Sequence, residues 1–388
     1  MNLVTGATGI IGSHVVFSLL QNNELVIAGK QKQSDILKVK KLFSYYTKNY
    51  QELFDKIKWV EIDLLDIYSI EAALENVNCV YHCAGMVSFN KKDRASLYQI
   101  NEIGTTNIVN ACLNKNINSL CYVSSISTIN NLDYKLPLNE DVFWKKSGKE
   151  SDYSISKYNA EREVWRGIEE GLSAVIINPG IVLSPGFWNQ SSSILFSTCF
   201  KGNKFYTNGS SAYIGAIDLS AIMLELVSAK KFGSRFIIIE NNYSYHFILS
   251  EIQKQLNKTP PSIKISKWQM RLGRLASQFA SNFTKNHPLI SSSMMNSAFN
   301  TQIFSNQKIL ALTKRQITPI NQVINEICKI YLSENQKDIA EFASPTLSGS
   351  IKGYHLNRKI FDQQILDEAQ SKGATVVRPA VNAGTNAN

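Results

Sequence analysis

The sequence is poor in the residues that build metal centres. It has five histidines and six cysteines among 388 residues. The cysteines stand at 79, 83, 112, 121, 199 and 328, none in a Cys-x-x-Cys pair, and the histidines are scattered. That pattern argues against a metal site. Several of the cysteines lie within apolar strand or helix patterns, where a free thiol behaves as a small hydrophobe, and such usage fits a reducing cytoplasm. No apolar run reaches the roughly 18 residues that a membrane span requires. No secretory leader is visible, because the first apolar segment runs straight into a glycine-rich turn. The net charge is +10, yet the lysines are dispersed in short groups such as Lys38-Val39-Lys40-Lys41 and Lys145-Lys146. Without a basic stripe interleaved with aromatics they read as a solvated surface, not a nucleic-acid interface.

The chain is 44% hydrophobic and 19% charged, which suits a globular protein, and it is long enough for one large α/β domain or two smaller ones. Apolar strand patterns cover residues 1–4, 25–28, 58–63, 79–84, 120–124 and 174–179. Helical spacing covers 13–20, 69–74, 101–113 and 153–169. Strict alternation of this kind predicts an α/β fold with a doubly wound parallel sheet over residues 1–185. After Gly186 the pattern loosens, with one late strand at 236–239, and residues 186–333 are expected to form a smaller substrate-facing lobe over the carboxyl ends of the strands. Residues 334–388 read as a linker and tail outside that fold.

The most specific motif is Thr5-Gly6-Ala7-Thr8-Gly9-Ile10-Ile11-Gly12. A strand precedes it and a helix follows, which is the context of a dinucleotide-binding loop. Gly6 can take the tight turn, Gly9 lets backbone approach a pyrophosphate, and Gly12 lets the helix pack closely. The helix start adds unpaired N–H groups and the positive end of its dipole. A second motif is Tyr153-Ser154-Ile155-Ser156-Lys157, a Tyr-x-x-x-Lys at the start of a helix. Spacing of i, i+4 puts both side chains on one face. The preceding strand ends in Ser124-Ser125, with Ser127 and Thr128 as further hydroxyls nearby.

The glycine spacing, together with Ser125, Tyr153 and Lys157 in that order, resembles the extended short-chain dehydrogenase/reductases. Within them it is similar to the NAD-dependent epimerase/dehydratase family, and especially its dihydroflavonol-reductase-like and 3β-hydroxysteroid-dehydrogenase-like branch. The resemblance runs from residue 1 to about residue 333 and implies a Rossmann-type fold. It implies that Tyr153 gives or takes the proton of a carbonyl/alcohol pair, that Lys157 supports it and binds the nicotinamide ribose, and that Ser125 bonds the same oxygen. A free phenol titrates near about 10, and Lys157 and the nicotinamide ring are expected to pull that value down. The resemblance further assigns Gly6, Thr8, Gly9, Ile10, Ile11 and Gly12 to the pyrophosphate loop. It assigns Asp63 and Leu64 to the adenine, and Ala84, Gly85, Pro179 and Gly180 to the rest of the cofactor. Asn101 matches a family residue beside the active site, and Asn178 begins the Asn-Pro-Gly that meets the nicotinamide. One departure is Ala216, where the family often carries an arginine.

The end of the second strand carries no carboxylate until Asp35, whereas Lys30 and Lys32 stand ready for a 2′-phosphate, so NADP is expected, with NAD as the alternative. Between Ile181 and Asp218 the only cations are Lys201 and Lys204, and Phe187, Trp188, Phe196, Phe200, Phe205, Tyr206 and Tyr213 are at hand. That composition points to an apolar carbonyl substrate for an oxidoreductase. The rival readings are a nucleotide-sugar epimerase or dehydratase and a non-catalytic NAD(P)-binding regulator; a homodimer is compatible with each. In the tail, Arg358-Lys359-Ile360-Phe361-Asp362 with Ile365 and Leu366 resembles a fragment of FAD-dependent oxidoreductases, without the βαβ unit that holds flavin.

Overall fold

Side chains of successive strand residues enter opposite hydrophobic layers, and this alternation builds the molecule. In the computed structural model, which describes residues 1–130, 137–148, 150–273, 295 and 297–343, Leu3 faces one layer and Val4 the other. Val175 and Ile177 likewise face away from Ala174 and Ile176. A strand buried on both sides is apolar throughout, as parallel strands covered by helices on both faces must be.

The order begins β1 (Asn2–Thr5), α1 (Ile10–Gln21), β2 (Val26–Lys30), α2 (Leu37–Tyr46), α3 (Tyr50–Asp55), β3 (Lys58–Glu61), α4 (Ile67–Ala73) and β4 (Cys79–His82). It continues with α5 (Arg94–Leu97), a π-helical turn (Tyr98–Ile103), α6 (Gly104–Asn114), β5 (Ser119–Val123), α7 (Asp152–Glu169), β6 (Ala174–Pro179) and β7 (Ile181–Leu183). Then come α8 (Ile194–Phe200), β8 (Phe205–Tyr206), β9 (Ser210–Gly215), α9 (Ala216–Ser228), β10 (Ser234–Ile238), β11 (Asn241–Ser244), α10 (Tyr245–Gln255) and β12 (Ile263–Lys264). Helices α11 (Gln307–Leu310) and α12 (Ile320–Ala343) follow.

Seven strands form one parallel sheet in the order β10-β6-β5-β4-β1-β2-β3. Helices α1, α2 and α9 supply one apolar layer through Val15, Val16, Phe43, Leu219 and Met223. Helices α4, α6 and α7 supply the other through Ile70, Ile108, Cys112, Ala160 and Val164. This is the doubly wound α/β architecture expected from the sequence. The chain order reverses between β1 and β4, and that switch point is where open α/β sheets bind ligands.

Beyond residue 185 the chain first leaves the sheet and then returns to it. Strands β7, β9 and β11 make a small second sheet, but α9 packs on α1 and β10 joins β6. Residues 216–238 therefore belong to the main sheet's layers. Residues Met1–Tyr331 form one compact unit; Leu332 opens a second, in which α12 continues to Ala343. The flavoprotein-like stretch at 358–366 lies outside the described residues. Among the described residues all six cysteines are free thiols, and no helix is long and apolar enough to cross a membrane.

Candidate active site

The glycine loop shows why each glycine stands where it does. Gly6 has φ +64°, and a Cβ there would lie 2.7 Å from the Ala84 backbone. A Cβ on Gly12 would lie 2.2 Å from the Gly6 carbonyl oxygen. Gly9 differs, because a Cβ there would meet only the Gly6 oxygen, at 3.3 Å, and otherwise open space. The Gly9 N–H closes the turn on the Gly6 carbonyl at 2.9 Å, around Ala7 and the half-buried Thr8. Ile10 and Ile11 open α1, whose N-terminus has no side-chain cap and no acidic residue in its first turn. Unpaired N–H groups beside an open glycine fit a pyrophosphate.

Other residues expected at the cofactor gather at the same carboxyl edge, with strands that stop earlier than their apolar pattern. Strand β3 ends at Glu61, so Asp63 lies in the following turn, where its carboxylate accepts from Leu65 N–H at 2.9 Å. The Leu64 carbonyl is held by Asn107 at 2.8 Å. Strand β4 ends at His82, which frees Cys83, Ala84 and Gly85 to cross the switch point. The Ala84 N–H donates to Thr5 Oγ1 at 3.2 Å, and that hydroxyl lies 2.7 Å from His82 Nδ1. Burial holds the His82 ring neutral, down to about 3, so it ties β1, β4 and Thr105 together without charge. Lys30 closes β2 and pairs with Glu61 at 3.3 Å, while Lys32 beyond it is exposed. Pro179 is buried at the end of β6, and a Cβ on Gly180 would lie 2.5 Å from the Ala212 carbonyl oxygen, so that glycine permits β9 to pack close.

The Ser, Tyr and Lys come together. Ser125 follows β5 in extended conformation and caps a short 3₁₀ turn, Ile126–Thr128, by accepting the Ser127 N–H at 3.1 Å. Tyr153 stands in the first turn of α7, which Ser151 caps through the Ser154 N–H. Burial raises the Tyr153 phenol above its ordinary value, and a hydrogen bond with the Ser125 side chain opposes that rise. Lys157, one turn on, is 5% exposed. Its Nζ donates to the Val123 carbonyl at 2.7 Å and lies 4.5 Å from the centre of the Tyr122 ring. Burial pushes Lys157 down to about 7, while Glu161 and Cys83 push it back up. The phenol is dominated by its own burial, and the ammonium is engaged with Val123. Gly85 keeps the space between Asn101 and Lys157, since a Cβ there would meet Asn101 Oδ1 at 3.3 Å and Lys157 Nζ at 3.8 Å.

Asn101 lies in the π-helical turn, where the sequence pattern gave an ordinary helix. Its amide exchanges two hydrogen bonds with the Met86 backbone, at 2.7 and 3.0 Å, and donates to Ser156 Oγ at 2.9 Å. It holds the post-β4 loop against α7. Of the aromatics between 187 and 213, Phe196 and Tyr213 are buried in the core, and Trp188 and Phe200 pack on Tyr331. These residues pack the lobe. The aromatic that meets the Tyr153 ring is Phe89, edge-on at 5.7 Å, with exposed Val87 nearby in the same loop. Sequence spacing also missed Glu161 and Arg235, which pair at 3.2 Å.

Residues 2–204 match the model of the NAD dependent epimerase/dehydratase family. The chain is 26% identical over 269 residues to sterol demethylase protein B of Methylococcus capsulatus, covering 68% of this chain and 76% of that one. It is 25% identical over 262 residues to dihydroflavonol 4-reductase of Gerbera hybrida, covering 63% and 69%. Its fold is similar to that of a UDP-glucose 4-epimerase from Thermotoga maritima, solved with UDP-glucose, at a TM-score of 0.68 and 16% identity, with coverage of 86% of this chain and 100% of that one.

Proposed function

The chain belongs to the NAD dependent epimerase/dehydratase family of enzymes, and from that premise we propose that it binds NADP(H) and interconverts a carbonyl and an alcohol. The observation that carries this reading is the meeting of Ser125 with Tyr153 one helical turn from buried Lys157, at the carboxyl end of β5. A bound nicotinamide supplies the hydride. The chain's own groups handle the oxygen. Ser125 orients it by a hydrogen bond. Tyr153, kept a neutral phenol by burial, gives its proton as the carbonyl becomes an alkoxide. Lys157, in its ammonium form, steadies the phenolate that remains.

The pyrophosphate is assigned to the Gly6–Gly12 turn and the open start of α1. The preference for NADP rests on Lys30 and Lys32 after β2. Phe89 against the Tyr153 ring, with exposed Val87 two residues before it in the chain, supports an apolar carbonyl substrate. Among the described residues of the first compact unit, 186–215, 239–273 and 297–331 are assigned to the lobe that encloses it.

The second reading is a nucleotide-sugar epimerase or dehydratase, which uses the same three residues and returns the hydride. The shared fold with the T. maritima epimerase keeps it in view, but the scarcity of cations between Ile181 and Asp218 disfavours a diphosphate there. The test is an NADPH-oxidation screen of aryl ketones, aldehydes and steroid ketones beside UDP- and dTDP-sugars. Turnover of the uncharged carbonyls is expected. Turnover confined to nucleotide sugars, with tightly retained oxidised NAD on the purified protein, would overturn the choice.

A further inference from the structure

Glu161 follows Tyr153 and Lys157 at the same four-residue interval along α7, so the three share one helix face. It is 2% exposed. Its Oε2 accepts from Ser124 Oγ at 2.5 Å, Thr128 Oγ1 at 2.8 Å and Asn178 Nδ2 at 2.9 Å. Its Oε1 pairs with Arg235 Nη1 of β10 at 3.2 Å. Two of these partners reach the serine assigned to catalysis. Thr128 Oγ1 lies 2.9 Å, and Asn178 Nδ2 3.1 Å, from the Ser125 carbonyl oxygen. Arg235 in turn donates to the carbonyls of Glu140 and Val142, in the segment that precedes α7.

We propose that Glu161 is a positioning residue of the catalytic centre, which holds the Ser125 end of β5 from below and sets the charge beside Lys157. The proposal rests on the reading of Ser125, Tyr153 and Lys157 as the reacting group. A buried carboxylate is costly, and removing one partner of a buried pair leaves the other uncompensated, so packing alone is poorly served by a charge here. The groups facing Lys157 leave Glu161 as its source of negative charge among the described residues. On β4 burial holds His82 neutral, and just beyond the strand it pushes the Cys83 thiol up to about 12. On β5, burial keeps the Tyr122 phenol protonated, and on α7 the Tyr153 phenol is raised as well. Glu161 is the carboxylate that favours the Lys157 ammonium.

Arg235 gives this proposal a sign. It neutralises Glu161 from the far side, so the two partners act on Lys157 in opposite directions. The experiment is competitive acetylation of the full chain with acetic anhydride across a pH series, read by mass spectrometry at Lys157. Circular dichroism checks the fold of each variant. Glu161→Gln is expected to lower the midpoint of Lys157 reactivity by about one unit. Arg235→Gln is expected to raise it. Midpoints unchanged in both folded variants, or moved the same way in both, would overturn the proposal. If Glu161→Gln does not fold, the direction in Arg235→Gln decides alone: a rise supports the proposal and anything else refutes it. The readout needs no substrate, so failure of the proposed reaction leaves this result standing by itself.

Discussion

Lys157 Nζ lies 2.7 Å from the carbonyl oxygen of Val123, the last residue of β5. That bond fixes α7 to the strand whose end carries Ser125. The reacting groups are thus held by two rigid elements rather than by the loop between them, and a site so built keeps its geometry when loops move.

The first prediction concerns pH. Burial outweighs the neighbouring charges and brings Lys157 down to about 7, so its ammonium is present below that pH and lost above it. The phenol of Tyr153 stays protonated through the same range. For NADPH-dependent reduction, kcat/KM reports the free enzyme and is expected to fall as pH rises through about 7. A profile that stays flat to pH 9 would contradict the role given to Lys157.

The glycines separate fold from binding. Gly12→Ala places a Cβ 2.2 Å from the Gly6 carbonyl oxygen and is expected to destabilise the chain by about 1–3 kcal/mol. Gly9→Val adds a Cβ whose one close neighbour is the Gly6 carbonyl oxygen, at 3.3 Å, and should melt close to the parent while losing NADPH binding. Thermal melts and NADPH fluorescence titration check both. A Gly9→Val chain that binds NADPH as the parent does would remove the pyrophosphate from this loop.

Cofactor choice hangs on the end of β2. Glu61 competes for Lys30 at 3.3 Å. Glu61→Gln should therefore raise the NADPH-over-NADH preference in kcat/KM, and Lys30→Ala should lower it by about tenfold, the loss of one charge-assisted contact. An unchanged ratio in both variants would take the 2′-phosphate away from Lys30.

Much of this was legible because parallel strands buried on both faces write themselves as apolar runs, as in Ala174–Ile177, and because the glycine turn and the Tyr-x-x-x-Lys are short-range patterns. Local spacing could not show partners distant in the chain. Glu161 and Arg235 meet across 74 residues, and Phe89 reaches Tyr153 across a βα crossover. Glu161 still had a local signal, one further helical turn beyond Lys157, that a scan confined to the motif passes over. Composition likewise records that a ring is present but not that Phe196 and Tyr213 are sealed in the core. Asn101 matched by position, yet its amide is taken up by Met86 and Ser156, which only coordinates reveal.

The tail is expected to be dispensable. The buried face of α12 described within the first compact unit runs through Ile320, Ile324, Ile327, Cys328 and Tyr331. A chain ended at Asn335 should bind NADPH as the full chain does, by fluorescence titration. Loss of binding or of soluble protein would show that the remainder supports the core.

The central claim is that Tyr153 supplies the proton while other groups bind. Its most direct test is the rate of NADPH oxidation by Tyr153→Phe against any carbonyl the parent reduces, measured beside NADPH affinity. The account predicts unchanged affinity and a rate lower by about 10²–10⁴-fold, the usual contribution of a positioned acid. Parental turnover by Tyr153→Phe on every substrate would contradict it.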